Sequence, residues 1–457
     1  MSSLLDDAAK RASRYLDALP SRAVAPLPEA IARLQSLDEP LPEHPQAPDA
    51  VLRRLDELGS PATSAMAGGR FFGFVIGGAL PVTVAANWLA TAWDQNAGGH
   101  GPAPGVAAFE HTALRWLLEI LDLPRHAAGA FVTGATQANL CGLAAARHAV
   151  LKRAGWDVEA DGLFGAPPIT VIVSAEAHPT VIKALGVLGL GRSRVIRMGT
   201  DAQGRIRPES LPPLAGPTIL CLQAGNINTG AFDPFAVLCE HAQAAGAWVH
   251  VDGAFGLWAL AAPTLRHLCG GIDRADSWAT DAHKWLNVPY DSGLAFVRDG
   301  EALRAAMSVT AAFLSPPGPR RVASDFTPEL SRRARGVDVW AALSALGRSG
   351  VAQMIERCCK HARRFAQGLE SAGYSILNDV VLNQVLVSFG DAAITRRVIT
   401  ELQAEGTCWC GVTEWQGQTA MRISVCSWAT TDDDVELSLA AILRIAARCG
   451  ASARAES

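Results

Sequence analysis

Hydrophobic residues fall into two rhythms along this chain. Short continuous apolar runs at 129–132, 168–173, 194–197, 217–222, 248–252 and 292–297 read as strands, each bounded by glycine, proline or polar turns. Longer stretches between them predict helices at 137–151, from Pro179 onward, and at 234–245. A further helix-and-strand interval is expected between Asp252 and Lys284. Strands and helices alternating at this spacing give an α/β domain with a mainly parallel sheet, whose strand-end loops carry the chemistry.

The ends of the chain follow other patterns. Helices predicted at 4–19 and 51–58 flank prolines at 20, 26, 28, 40, 42, 45 and 48, which prevent one long helix. Residues 1–68 therefore read as an arm lying on the main body or on a partner subunit. Helices are expected at 82–93 and from Val106. Strands at 381–389 and 421–426, with helices at 351–370, 392–403 and 432–448, make 346–457 a smaller C-terminal α/β domain beside a large domain at 69–345. Residues 308–330, with Pro316-Pro317-Gly318-Pro319, read as an exposed loop and a lid over a cleft.

Composition narrows the classes of function. A length of 457 residues supports a large core divided into two or three units. The formal charge of −4 provides no basic field, which argues against a nucleic-acid binder. Ten scattered cysteines, with Cys408 and Cys410 too close for a zinc motif, point to a reduced cytoplasmic setting and no metal site. No cleavable signal is expected at the N-terminus. The apolar stretch 71–89 contains Pro81, Asn87 and several glycines, so it reads as packing or interface rather than a membrane span.

The candidate chemistry lies at the strand ends. Asp252 closes the run Trp248-Val249-His250-Val251, and Lys284 stands between His283 and Trp285. A lysine among rings is costly unless paired, neutral or covalently used. The sharper reading is pyridoxal phosphate held as a Schiff base on Lys284, with Asp252 paired to its ring nitrogen; the plainer one is a surface lysine and a helix-capping aspartate. Gly134-Ala135-Thr136 offers close backbone approach, amide hydrogens and a hydroxyl at a helix start, which suits a phosphate or an ordinary cap. His178 is either a stacking or proton-transfer residue, or a capped junction histidine. Phe71, Phe72 and Trp88 line a substrate entrance or pack the core, and Arg332, Arg333 and Arg335 select an acidic side chain or face solvent.

Gly134-Ala135-Thr136-Gln137-Ala138-Asn139, Ala177-His178, Val251-Asp252-Gly253-Ala254 and Asp281-Ala282-His283-Lys284-Trp285 occur in this order. Together they resemble the group II pyridoxal-phosphate-dependent amino-acid decarboxylases, the family of aromatic-amino-acid, glutamate, histidine and diaminobutyrate decarboxylases. The resemblance spans roughly residues 60–445. It implies an aspartate-aminotransferase-like fold, type I among enzymes of this cofactor, and a homodimer whose loops reach both cofactor sites. It implies catalytic roles for Lys284, Asp252 and His178, with Ala254 beneath the ring, Ala135, Thr136 and His283 at the phosphate, and Asn226 near the ring hydroxyl. The reaction implied is α-decarboxylation of an L-amino acid to an amine and carbon dioxide. Many members carry a loop tyrosine as proton donor, whereas this chain has Tyr15, Tyr290 and Tyr374 and none in 308–330. Transamination, oxygen-dependent deamination and a non-catalytic protein of this fold remain as alternatives.

Overall fold

The computed structural model describes residues 2–309 and 321–450. The proline-rich part of the expected lid, 310–320, lies outside the described residues. The chain forms two compact units. The larger comprises Ala79–Lys360 and Asn378–Gln384; the other comprises Met1–Gly78, His361–Leu377 and Val385–Ser457.

The larger unit is built on seven strands: β1 Ala128–Val132, β2 Thr170–Ser174, β3 Ile196–Met198, β4 Thr218–Gln223, β5 Trp248–Asp252, β6 Ser277–Asp281 and β7 Gly293–Val297. Their order is β1-β7-β6-β5-β4-β2-β3. β7 runs antiparallel to both neighbours, whereas the pairs from β6 through β5, β4 and β2 to β3 are parallel. The C-terminal ends of β1, β2, β4, β5 and β6 consequently share one edge of the sheet. Crossover helices bury both faces, which explains why the strands read as unbroken apolar runs.

The helix Ala135–Arg153 follows β1, and most of its circumference is buried. Its alanines pack with Val132, Val173, Ile219 and Ala279 in the main core. Enclosing Leu143 or Val150 in this way stabilises the fold by about 1.5–3 kcal/mol per side chain relative to exposure. Gly142 permits the helix to lie close to the sheet, since a Cβ there would stand 2.7 Å from the His250 ring. Gly293 is equally constrained: a Cβ would come within 2.4 Å of the Gly134 Cα.

The interval between β5 and β6 contains three 3-10 turns, Gly256–Ala261, Arg266–Cys269 and Ile272–Arg274, where a helix was expected. Pro263 and the Gly270-Gly271 pair interrupt it, with Gly271 at φ +88. The helix expected at 351–370 is the later part of Arg335–Ser371, which is broken at Gly347, where φ is 58°.

In the other unit, β8 Ser375–Ile376, β9 Gln384–Ser388, β10 Gly411–Trp415 and β11 Gln418–Ser424 form a sheet ordered β10-β11-β9-β8. Gln416 and Gly417, at φ +48 and +79, make the two-residue hairpin turn between β10 and β11. The arm contributes helices Ser2–Ala18 and Pro48–Ala62, joined by an Arg11–Asp56 ion pair at 2.9 Å. Phe71 stacks on Trp409 and Phe72 meets Phe365 edge-on, each at 5.0 Å between ring centres. All ten cysteines are buried, and none is in a disulfide. Among the described residues, no helix is long and apolar enough to cross a membrane.

Candidate active site

Each functional segment leaves a different strand of the larger unit at the same edge. β1 leads to Gly134 and the helix start, β2 to His178, β4 to Asn226, β5 ends in Asp252, and β6 ends in Asp281, three residues before Lys284. Parallel strands place their C-terminal loops together, which makes this edge the natural place for a ligand.

Lys284 lies in the short helix Ala282–Trp285 and is half-buried. Its Nζ is 3.0 Å from Asp281 Oδ2. The other carboxylate oxygen of Asp281 accepts the Ala135 N–H at 2.6 Å, tying the amine to the start of the helix after β1. Gln137 and Ala138 donate their N–H groups to the Gly134 carbonyl. Thr136 then has both its N–H and hydroxyl available to an anion at the positive end of a 19-residue helix. His283 Nδ1 accepts the Ser292 N–H at 3.2 Å, so Nε2 carries the proton and faces Asp281 Oδ1 at 3.6 Å. Burial holds His283 below the ordinary imidazole range; the charge of Asp281 opposes that shift and the charge of Lys284 adds to it. Tyr290 stacks on the same ring at 4.1 Å.

Asp252 is buried, with one oxygen accepting from Asn139 Nδ2 at 3.2 Å and the other from the Ala254 N–H at 3.2 Å. His178 caps the helix Pro179–Val187, and its Nδ1 lies 2.8 Å from Thr180 Oγ1. Asn226 is almost wholly buried; its side-chain oxygen accepts from the N–H groups of Asn228 and Thr229, while its amide Nδ2 has no hydrogen-bond partner among the described residues. A buried N–H donor without an acceptor is costly, and an oxygen-bearing ligand supplies what it lacks.

The expected site residues Ala135, Thr136, His178, Asn226, Asp252, Ala254, His283 and Lys284 all belong to the larger unit, at the same sheet edge. Phe71 and Phe72 are buried in the aromatic packing of the other unit, and Trp88 is exposed on the helix Pro81–Trp93. Arg332 and Arg335 are buried and paired, with Glu110 and Asp291 respectively, while Arg333 bonds to Asn87 and Thr91. Sequence reasoning assigned no role to Asp281, Asn139 or Tyr290. Asp281 and Asn139 stand inside the motifs that carried the resemblance, and their position there was the available signal.

Residues 28–390 match the family model of the pyridoxal-dependent decarboxylase conserved domain. An aromatic-L-amino-acid decarboxylase of Bacillus atrophaeus is 26% identical over 444 residues, covering 92% of this chain and 90% of that protein. A phenylacetaldehyde synthase of Arabidopsis thaliana is 27% identical over 327 residues, covering 67% of this chain and 62% of that one. Among solved structures, Oryza sativa TDC with PLP and tryptamine superposes with a TM-score of 0.90 at 22% identity, over 98% of this chain and 97% of that chain. The strand order, the smaller α/β unit and this superposition identify the fold as type I among pyridoxal-phosphate enzymes. With most of its length matched by the family model, the chain belongs to the group II pyridoxal-dependent decarboxylase family.

Proposed function

We propose that this protein binds pyridoxal phosphate at the shared strand edge and removes the α-carboxylate of an L-amino acid. The observation that carries this reading is the convergence of the Lys284 amine, the Asp252 carboxylate, the His178 imidazole and a helix start on that edge. The orphaned Asn226 Nδ2 supports the fit, because the cofactor's ring hydroxyl is an oxygen acceptor of the kind that donor requires.

Each group then has a task its chemistry suits. Lys284 would hold the cofactor through its amine, Asp252 would pair with its ring nitrogen, and His178 and Ala254 would pack against its ring. Thr136, with Ala135 and His283 beside it, holds the phosphate at the helix start. Bound pyridoxal phosphate supplies the electron sink that lets the bond between the α-carbon and the carboxylate break. A proton must replace the lost carboxylate at that carbon, and His178 or a water beside it is the proposed source.

A second reading, oxygen-dependent conversion to an aldehyde, is favoured by two observations. No tyrosine occurs within 308–330, and a phenylacetaldehyde synthase is among the relatives. Carboxyl-labelled L-amino acids, aromatic and acidic, supplied with pyridoxal phosphate separate these outcomes. Amine with labelled carbon dioxide, formed equally without oxygen, is the expected result. Aldehyde with peroxide, formed only with oxygen, favours the second reading. A keto acid that keeps the label and needs an acceptor would replace both with transamination.

We also infer that the enzyme works as a homodimer, supported by the exposed Trp88, Leu89 and Trp93 on one short helix. Light scattering of active protein should give twice the 48.1 kDa chain mass at all concentrations tested. An active species of one chain mass would exclude it.

A further inference from the structure

Asn139 is buried on the second turn of the helix Ala135–Arg153, and its amide touches three side chains at once, two from β5 and one from the helix Pro179–Val187. Nδ2 lies 3.2 Å from Asp252 Oδ2 and 3.5 Å from Thr180 Oγ1, while Oδ1 lies 2.9 Å from His250 Nε2. His250 Nδ1 is 2.8 Å from Ser277 Oγ, which in turn lies 2.9 Å from Trp248 Nε1. Thr180 Oγ1 is 2.8 Å from His178 Nδ1.

The direction of the bonds in this chain follows from its two ends. The Asp252 carboxylate can only accept, so Asn139 Nδ2 faces it and Oδ1 faces His250 Nε2; the Trp248 indole N–H can only donate, so the Ser277 hydroxyl accepts from it and gives its own hydrogen to His250 Nδ1. That leaves the single proton of a neutral imidazole on Nε2, which donates to Asn139 Oδ1. The amide oxygen being fixed there, both Asn139 hydrogens face the other way, towards Asp252 and Thr180. Thr180 then donates to His178 Nδ1, which also accepts the Thr180 N–H. Rotating the amide by half a turn would set two donors against each other and an oxygen against a carboxylate. Full burial pushes His250 down to about 3, which keeps the ring neutral and the polarity of the relay unchanged over the working pH range.

We propose that Asn139 is a positioning residue that sets both Asp252 and His178 for the cofactor, with the Trp248–Ser277–His250 relay fixing its orientation. The proposal rests on pyridoxal phosphate being held at this edge, as argued above. Both side chains assigned to the ring, one to its nitrogen and one to its face, hang from a single amide. That amide is in turn held by three residues with no cofactor role of their own.

The test is a double-mutant cycle read by equilibrium binding of pyridoxal phosphate, with the pH profile of the bound cofactor's visible absorbance as a second readout. Asn139→Leu keeps the branched shape and the number of side-chain heavy atoms and removes every hydrogen bond of the amide. It should weaken binding by about tenfold or more and move the midpoint of the absorbance profile. In an Asp252→Asn background the same change should cost clearly less than in the wild type, because the share of its effect that runs through Asp252 is already lost and only the share through Thr180 and His178 remains. Losses that multiply independently, or an unchanged absorbance profile, overturn the relay and leave Asn139 a packing residue. Melting of each variant without cofactor verifies folding. If Asn139→Leu does not fold, Ser277→Ala removes one hydroxyl from the same relay: a several-fold loss that shrinks in the Asp252→Asn background supports it, and unchanged binding overturns it. A wild-type chain that takes up no pyridoxal phosphate removes the functional reading together with the relay. Uptake by the wild type with independent losses removes the relay alone.

Discussion

Lys284→Ala should yield a folded protein with no borohydride-fixed phosphopyridoxyl adduct and with turnover lowered on the order of a thousandfold or more. The lysine is half-buried at a strand end, outside the packed core, so the fold should survive its truncation. Asp281, which loses its ion pair, retains the Ala135 N–H at 2.6 Å and is not left bare. Peptide mass analysis after reduction should place the adduct on Lys284 in the wild type and nowhere in the variant. An adduct at another lysine, or turnover close to that of the wild type, would defeat the assignment. Retained cofactor affinity with lost turnover would instead confine the lysine's role to the chemical step.

Glu110→Ala has the largest expected effect on stability. Glu110 is 3% and Arg332 4% exposed, with Arg332 Nη1 3.1 Å from the carboxylate and Nη2 donating to the Phe131 carbonyl of β1 at 2.9 Å. Arg321 approaches the same carboxylate at 3.6 Å. Removing the carboxylate strands a buried guanidinium, which destabilises by about 3–5 kcal/mol. Replacing both partners together, as Glu110→Leu with Arg332→Leu, should cost clearly less, because the fully buried guanidinium leaves with the carboxylate, and the partly exposed Arg321 keeps the Gly129 carbonyl. Denaturant unfolding measures both. A single substitution costing under about 1 kcal/mol, or a double substitution costing more than the single, would show that the pair is not what holds this region.

The sequence was most readable where local pattern and structure obey the same constraint. Parallel strands covered on both faces must be apolar throughout, so β2, β4 and β5 stood out together with the loops that follow them. The hairpin strand β10 escaped because only alternate residues are sheltered, and its turn, Gln416-Gly417, is less conspicuous than an Asn-Gly. Within the site, Lys284 and Asp252 were legible as types: a lysine between rings and a carboxylate closing a strand. Asn139 was not, since its partners His250 and Asp252 lie 111 and 113 positions away and nothing in the helix shows which way its amide faces. The Arg332–Glu110 pair, separated by 222 positions, was hidden for the same reason, so the arginines read equally well as substrate ligands or solvated groups.

The place of β7 in the sheet bears on when the site can come into being during synthesis. It is the last of the seven strands to be made, yet it stands between β1 and β6 and is the sole strand neighbour of β1 in the order of the sheet. The helix start that follows β1 and the lysine that follows β6 are therefore joined across a strand that does not exist until residue 297 has been added. A nascent chain can pair β2 through β6 earlier, but the turn after β1 has no fixed place beside the lysine. Assembly of the proposed cofactor site is thus deferred to the completion of the sheet, and a chain stalled before that point has strand edges open to misassociation.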